Sequence, residues 1–249
     1  MHKYLLIAFI ASLAFSLSWL TVQGEAPLPI KTVAPASDLT AAVADQLELL
    51  DALLENEKAY KQAHENKEIK QAAGVIACLA QALAEHPDAK SVKYSAPHTR
   101  DAARKLAGTK DYQSARTAFV ALKEITSGTA AGEAVLMHPW NKLIGMHQMM
   151  EEMNARSSSL RRELRRLRKP EIAAKHASVM AVLSVAMLTD THEVKKPADI
   201  PMWEQLSKDF QKNVTAAAAA ARAGNKSEAK EFMNMANNAC DKCHEKWRD

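Results

Sequence analysis

Glycine is scarce in this chain, seven among 249 residues, and aromatic side chains make up 5% of it. Sheets draw on alternating β-branched and aromatic residues, with glycine in their turns, and no alternating segment of useful length occurs here. A sheet-based fold is therefore excluded. Three cysteines are too few for a disulfide framework. Neither sign of charge dominates, with 33 Lys and Arg against 29 Asp and Glu. Bulk charge thus gives no reason to expect nucleic acid or an acidic membrane as partner. The chain has no His-Glu-x-x-His, no Glu-x-x-His pair and no phosphate loop. The absence removes the commonest zinc-hydrolase, di-iron and nucleotide-binding readings, and no catalytic constellation replaces them.

What is abundant is Ala, Leu, Met, Glu, Lys and Arg, the residues of helices. The fold class expected is all-α. Residues 1–24 read as a secretory signal peptide: His2 and Lys3 precede an uncharged apolar run from Tyr4 to about Leu20, then Val22-Gln23-Gly24 offers small residues for cleavage. An exported, periplasmic protein is expected, with an uncleaved anchor as the alternative. Residues 25–36, with Pro27, Pro29 and Pro35, read as an extended leader. Helices are then expected from Ser37 to Leu54, Asn66 to Glu85, Pro97 to Ala107 and Asp111 to Ile125, on apolar residues recurring every three or four positions. The small-residue stretch Thr126 to Gly132 reads as a linker. Beyond it come a long helix from Glu133 to Arg168, one from Pro170 to Leu188, one from Pro201 to Ala223 and a last from Asn225 onward. The plan is two consecutive antiparallel four-helix bundles, residues 37–126 and 133–249. An Ala-Gly pair precedes the last helix of each half (Ala107-Gly108, Ala223-Gly224), which leaves internal duplication open.

The chemistry is concentrated in Cys240-Asp-Lys-Cys243-His244. Cys-x-x-Cys-His is the spacing by which a chain takes up c-type haem covalently. On a helix the three positions share one face, so two thiols can reach the haem vinyl groups while the imidazole reaches the iron. With this composition the pentapeptide arises by chance in about one such chain in a thousand. A thiol–disulfide couple and half of a zinc site are the alternatives. Cys78, far away in an Ala-rich segment, offers no fourth zinc ligand and reads as a small buried hydrophobe. The first half holds His64, His86 and His98 without ligand spacing, so one covalent haem c per chain is expected.

The terminal Cys-Asp-Lys-Cys-His-Glu-Lys-Trp-Arg, with Trp203-Glu-Gln-Leu-Ser-Lys-Asp-Phe210 and the Ala-Gly-Asn turn before the last helix, resembles the cytochrome c-prime family of class II cytochromes c. The resemblance covers about residues 136–249 and leaves the first bundle unexplained. It implies a four-helix bundle with haem near one end, Cys240 and Cys243 as thioether anchors and His244 as proximal iron ligand. It also implies a distal residue from the first helix of that bundle. Leu143, Met146, Met150 and Met153 form the inward stripe there. The family's Arg-Gln pair is replaced by Lys142-Leu143, which points to Met146 as sixth ligand, with Met150 or an open site as alternatives. His147, His138 and His176 read as ordinary histidines. The function implied is electron transfer with a redox partner protein rather than an enzyme activity; an open iron would instead bind nitric oxide or carbon monoxide. A homodimer is the other assembly to test for.

Two further stretches have double readings. The basic run Leu160 to Lys169 is a solvated helix end whose cations complement the helix dipole, or a dock for an acidic redox partner. The six alanines Ala216 to Ala221 are helix filler, or a small-residue face that lets the helix approach the porphyrin or its neighbours.

Overall fold

The computed structural model describes residues 26–130, 132–135 and 137–248; the expected signal peptide lies outside the described residues. Among them every regular element is helical, so the chain is all-α. The first half contains α1 (Ile30–Val33), α2 (Ala36–Leu53), α3 (Glu57–Glu65), α4 (Glu68–Glu85), α5 (Ala96–Ala107) and α6 (Tyr112–Thr126). The second contains α7 (Met146–Arg166), α8 (Pro170–Thr189), α9 (Ile200–Arg222) and α10 (Lys226–Trp247).

Two helices sit at the centre because they are apolar almost all round. From Ala72 to Leu83 every residue of α4 is buried, and from Ala177 to Leu188 every residue of α8. Helix α8 is also long and apolar enough to cross a membrane, yet most of that stretch is covered by the other helices. Helix α2 packs on both α4 and α8, α5 on α4, and α6 on α5; α7 packs on α8 and α4, α9 on α8, and α10 on α9. One apolar core runs without a break from Ile30 to Ala239. The chain therefore crosses the Thr126–Gly132 stretch without leaving the core it started in.

The seam between the halves is partly polar, and its buried charges are paired. Glu152 on α7 accepts from Arg156 at 2.7 Å, from Gln71 of α4 at 2.9 Å and from Gln46 of α2 at 3.3 Å. Asp38 at the start of α2 accepts from Ser178 of α8 and Arg222 of α9, each at 2.6 Å. A buried carboxylate without such partners would cost several kcal/mol, roughly, so these bonds tie the helices to one arrangement. The backbone of α4 approaches the turn before α7 closely at Gly74, where a Cβ would lie 2.8 Å from Ile144 Cγ1.

Four expectations are corrected. The leader is not extended: it forms α1, with Ile30, Val33 and Ala34 buried in the core. Helix α3 was not expected, because its mostly charged sequence buries only Tyr60 and Ala63; Asn56 caps it by accepting from Ala59 N at 3.0 Å. The long helix starts at Met146 instead of Glu133. Pro139 and Gly145 interrupt it, leaving a single 3-10 turn at Trp140–Lys142 that buries Trp140, Leu143 and Ile144. A Cβ at Gly145 would sit 2.6 Å from Gln148 Oε1, so any larger residue there would have to turn the Gln148 side chain. The segment that follows the linker is strapped down: fully buried Arg100 donates to Val135 O, Val135 N to Asp101 at 3.1 Å, and Trp140 Nε1 to Glu85 at 3.1 Å. As for duplication, Gly108 is right-handed and Gly224 left-handed, so the two Ala-Gly turns differ in geometry.

Candidate functional site

Helix α10 starts where its sequence says it should. Asn225 accepts from Glu228 N at 3.2 Å and donates to the Glu228 carboxylate at 2.8 Å, a reciprocal cap. Ala229, Met233, Ala236 and Ala239 bury one face of the helix. Cys240 and Cys243 continue that face as half-buried side chains, and His244 follows at the exposed margin. The helix end is anchored to the start of α9: Trp247 packs edge-on against Trp203 at 5.3 Å, and Lys246 donates to Asp199 at 2.7 Å. Trp203 in turn donates to Met187 O of α8 at 3.0 Å. The motif thus sits where α10 ends, α8 ends and α9 begins.

The electrostatics separate the readings of the two thiols. Loss of water pushes Cys240 up to about 12, with Cys243 and Asp241 adding to it, and burial pushes Cys243 up to about 11. A thiol–disulfide catalyst needs a thiol lowered toward neutrality, and these move the other way. Among the described residues no three His, Cys, Asp or Glu side chains gather as a metal-holding group, so the two thiols and His244 do not close on one point as zinc ligands would. Partial loss of water and nearby Arg248 lower the His244 pKa, which keeps the imidazole neutral and its lone pair available at pH 7. Cys78 is fully buried on α4, and burial raises its thiol far above the usual range.

Across from this face stands α7. Met146 is its first residue, half-buried against the core; Met150 is half-buried, Met149 and Met153 are buried, and His147 is exposed. Of the expected stripe, Leu143 falls in the turn before the helix. Helices α7 and α10 form the loosest seam of the second half. A groove of about 500 Å³ opens between them, ending at Asn237 one turn before Cys240.

A residue that sequence reasoning passed over is Ser207 of α9. Its Oγ is fully buried and, among the described residues, has no hydrogen-bond partner. It lies one turn after Trp203, whose ring touches Trp247; Cys243 lies one turn before Trp247 on the antiparallel α10. By helix pitch the orphan hydroxyl and Cys243 are at the same level. Its position between Trp203 and Phe210 in an apolar stripe was a legible signal.

The other histidines have structural partners. His176 Nδ1 lies 3.3 Å from Arg156 Nη1, and His138 lies 3.0 Å from both Asp101 and Arg104. The alanines of α9 stand at the end remote from the motif: Thr215 beside them donates to Val33 O at 3.1 Å, and Arg222 after them holds Asp38. These bonds place the alanine stretch beside α1 and the start of α2, because the helix runs away from the motif after Trp203. No family model matches the chain, and no curated protein or solved structure matches it either.

Proposed function

We propose that the chain is an exported monohaem c-type cytochrome acting in electron transfer, with α7 to α10 as a haem-bearing four-helix bundle fused to a haem-less helical half. The observation that carries this reading is Cys240-x-x-Cys243-His244 on one face of α10, at the loosest helix seam, with both thiols half-buried. The residues present fit the group: two thiols and a neutral imidazole front the seam, and the buried Ser207 hydroxyl at the level of Cys243 has no protein partner. Bound haem would supply a one-electron couple. Cys240 and Cys243 would hold it covalently and His244 would ligate its iron. Trp247 and Trp203 would keep water from that end of the bundle.

Met146 and Met150 both stand half-buried in the first two turns of α7, and Met146 would be the sixth ligand, with Met150 or an open site as the alternatives.

The test is extraction and spectroscopy on protein made with haem-attachment machinery. The haem should stay with the protein in acid-acetone, and the variant Cys240→Ala/Cys243→Ala should release it. Loss of all haem from the native protein would overturn the reading. An immediate large spectral change when carbon monoxide meets the reduced protein would exclude methionine ligation and favour gas binding.

A further inference from the structure

The groove between the C-terminal half of α7 and the N-terminal half of α10 has a composition that haem attachment does not use. Arg161, Arg162, Arg165 and Lys230 line it over an apolar floor of buried Leu164 and Met233. Arg166 and Arg168 continue the positive surface round the end of α7, where Glu163 stands among them without an ion pair. Among the described residues no carboxylate pairs with any of these arginines or with Lys230. Arg161 and Arg165, and likewise Arg162 and Arg166, are like charges four apart on one helix, an arrangement that costs a few tenths of a kcal/mol, roughly, per pair. The dipole of α7 offsets this for cations in its last turn. It gives no such reason for Lys230, which stands near the start of α10, where a cation opposes the dipole, and which nonetheless converges on the arginines.

Guanidinium groups without carboxylate partners among the described residues, over an apolar strip, match a chain that presents carboxylates around an apolar side chain. The groove also lies on the motif's own face of α10: Lys230, Met233, Asn237, Cys240 and His244 recur at three and four residue steps. A partner seated in it borders the haem attachment point, which a membrane lying across the arginine-rich end of α7 would not. We propose that this groove docks an acidic segment of a redox partner protein, its carboxylates on Arg161, Arg162, Arg165 and Lys230 and an apolar side chain on Leu164 and Met233. The redox character of the partner rests on the cytochrome reading; the chemistry of the groove does not.

The test uses the full chain and a short fluorescent peptide of Glu and Asp with one central Leu, followed by anisotropy at low and physiological ionic strength. The peptide should bind at low ionic strength and weaken as salt rises. Arg161→Gln/Arg165→Gln should weaken it about tenfold or more, a loss of about 1.4 kcal/mol. Lys230→Gln, on the other helix, should also weaken it. Lys58→Gln/Lys70→Gln, an equal charge change on exposed sites of α3 and α4, should leave it within about twofold. Unchanged far-ultraviolet circular dichroism shows that the variants remain folded, and Lys230→Gln decides the matter if the double arginine variant does not. Equal weakening by the control pair, no binding at low ionic strength, or tighter binding of phosphatidylglycerol vesicles or duplex DNA that the peptide cannot displace would overturn the proposal. If the native protein loses its haem in acid-acetone yet still binds the peptide in this pattern, the cytochrome reading fails and the acidic-segment groove stands.

Discussion

His176 on α8 is pushed down to about 4 by burial and by the neighbouring cations Arg156 and Lys175, against the opposing pull of Asp45 and Glu152. An unfolded histidine takes up its proton near pH 6.5, whereas the folded one resists until about pH 4. Between those values the unfolded chain binds more protons, so His176 makes the fold less stable as pH falls through that window. Melting temperature measured from pH 7 to 4.5 should decline, and His176→Gln should flatten the decline; an unchanged slope would remove His176 from the account. At the same scale, Met146→Ala should alter the axial-ligand spectrum of the haem-loaded protein and open the iron to carbon monoxide. The same change on Met150→Ala alone would make Met150 the ligand, and no change in either variant would mean an open site.

Between elements, α4 approaches the turn before α7 closely. Gly74→Ala places a methyl 2.8 Å from Ile144 Cγ1, with Ile144 Cβ 3.1 Å away. Overpacking of this kind costs roughly 1–3 kcal/mol, and the gain in helix propensity returns about 1 of it. The expected outcome is a net loss of up to about 2 kcal/mol, a melting temperature lower by up to several degrees. Ile144→Ala removes the obstructing atoms, so the two changes together should cost clearly less than their separate costs added. Strict additivity would mean that the chain relaxes elsewhere.

For the whole molecule, the unbroken core and the Glu152 and Asp38 networks make the halves interdependent. Unfolding followed by far-ultraviolet circular dichroism and by haem absorbance should therefore give one coincident transition. Two separated transitions would show that each half holds its own core. Iron analysis should give one iron per chain. Residues 37–130 alone should be colourless, and less stable than the same helices in the intact protein, because the faces of α2 and α4 that pack on α7 and α8 would be exposed. Haem retained by that segment would overturn the single-haem assignment.

The all-helical class, the reciprocal cap at Asn225 and the gathering of Cys240, Cys243 and His244 on one helix face could all be read from the chain itself. Each depends on contacts within one or two turns, and such contacts are written at fixed spacings. The start of α7 at Met146 was half legible: Pro139 and Gly145 stood in the sequence, but the burial of Trp140, Leu143 and Ile144 by the turn before it becomes visible only once folded. Helix α3 had its Asn56 cap in plain view and too little apolar surface to draw attention. What the tertiary structure alone decided lies between segments far apart in the chain. The leader became part of the core, Arg100 strapped down the segment after the linker, the two halves shared one interior, and Lys230 met the arginines of α7 across the groove. The reason is that the relative register and rotation of packed helices come from side chains interlocking across an interface. Spacing along any one helix carries no record of which residue of another it will face.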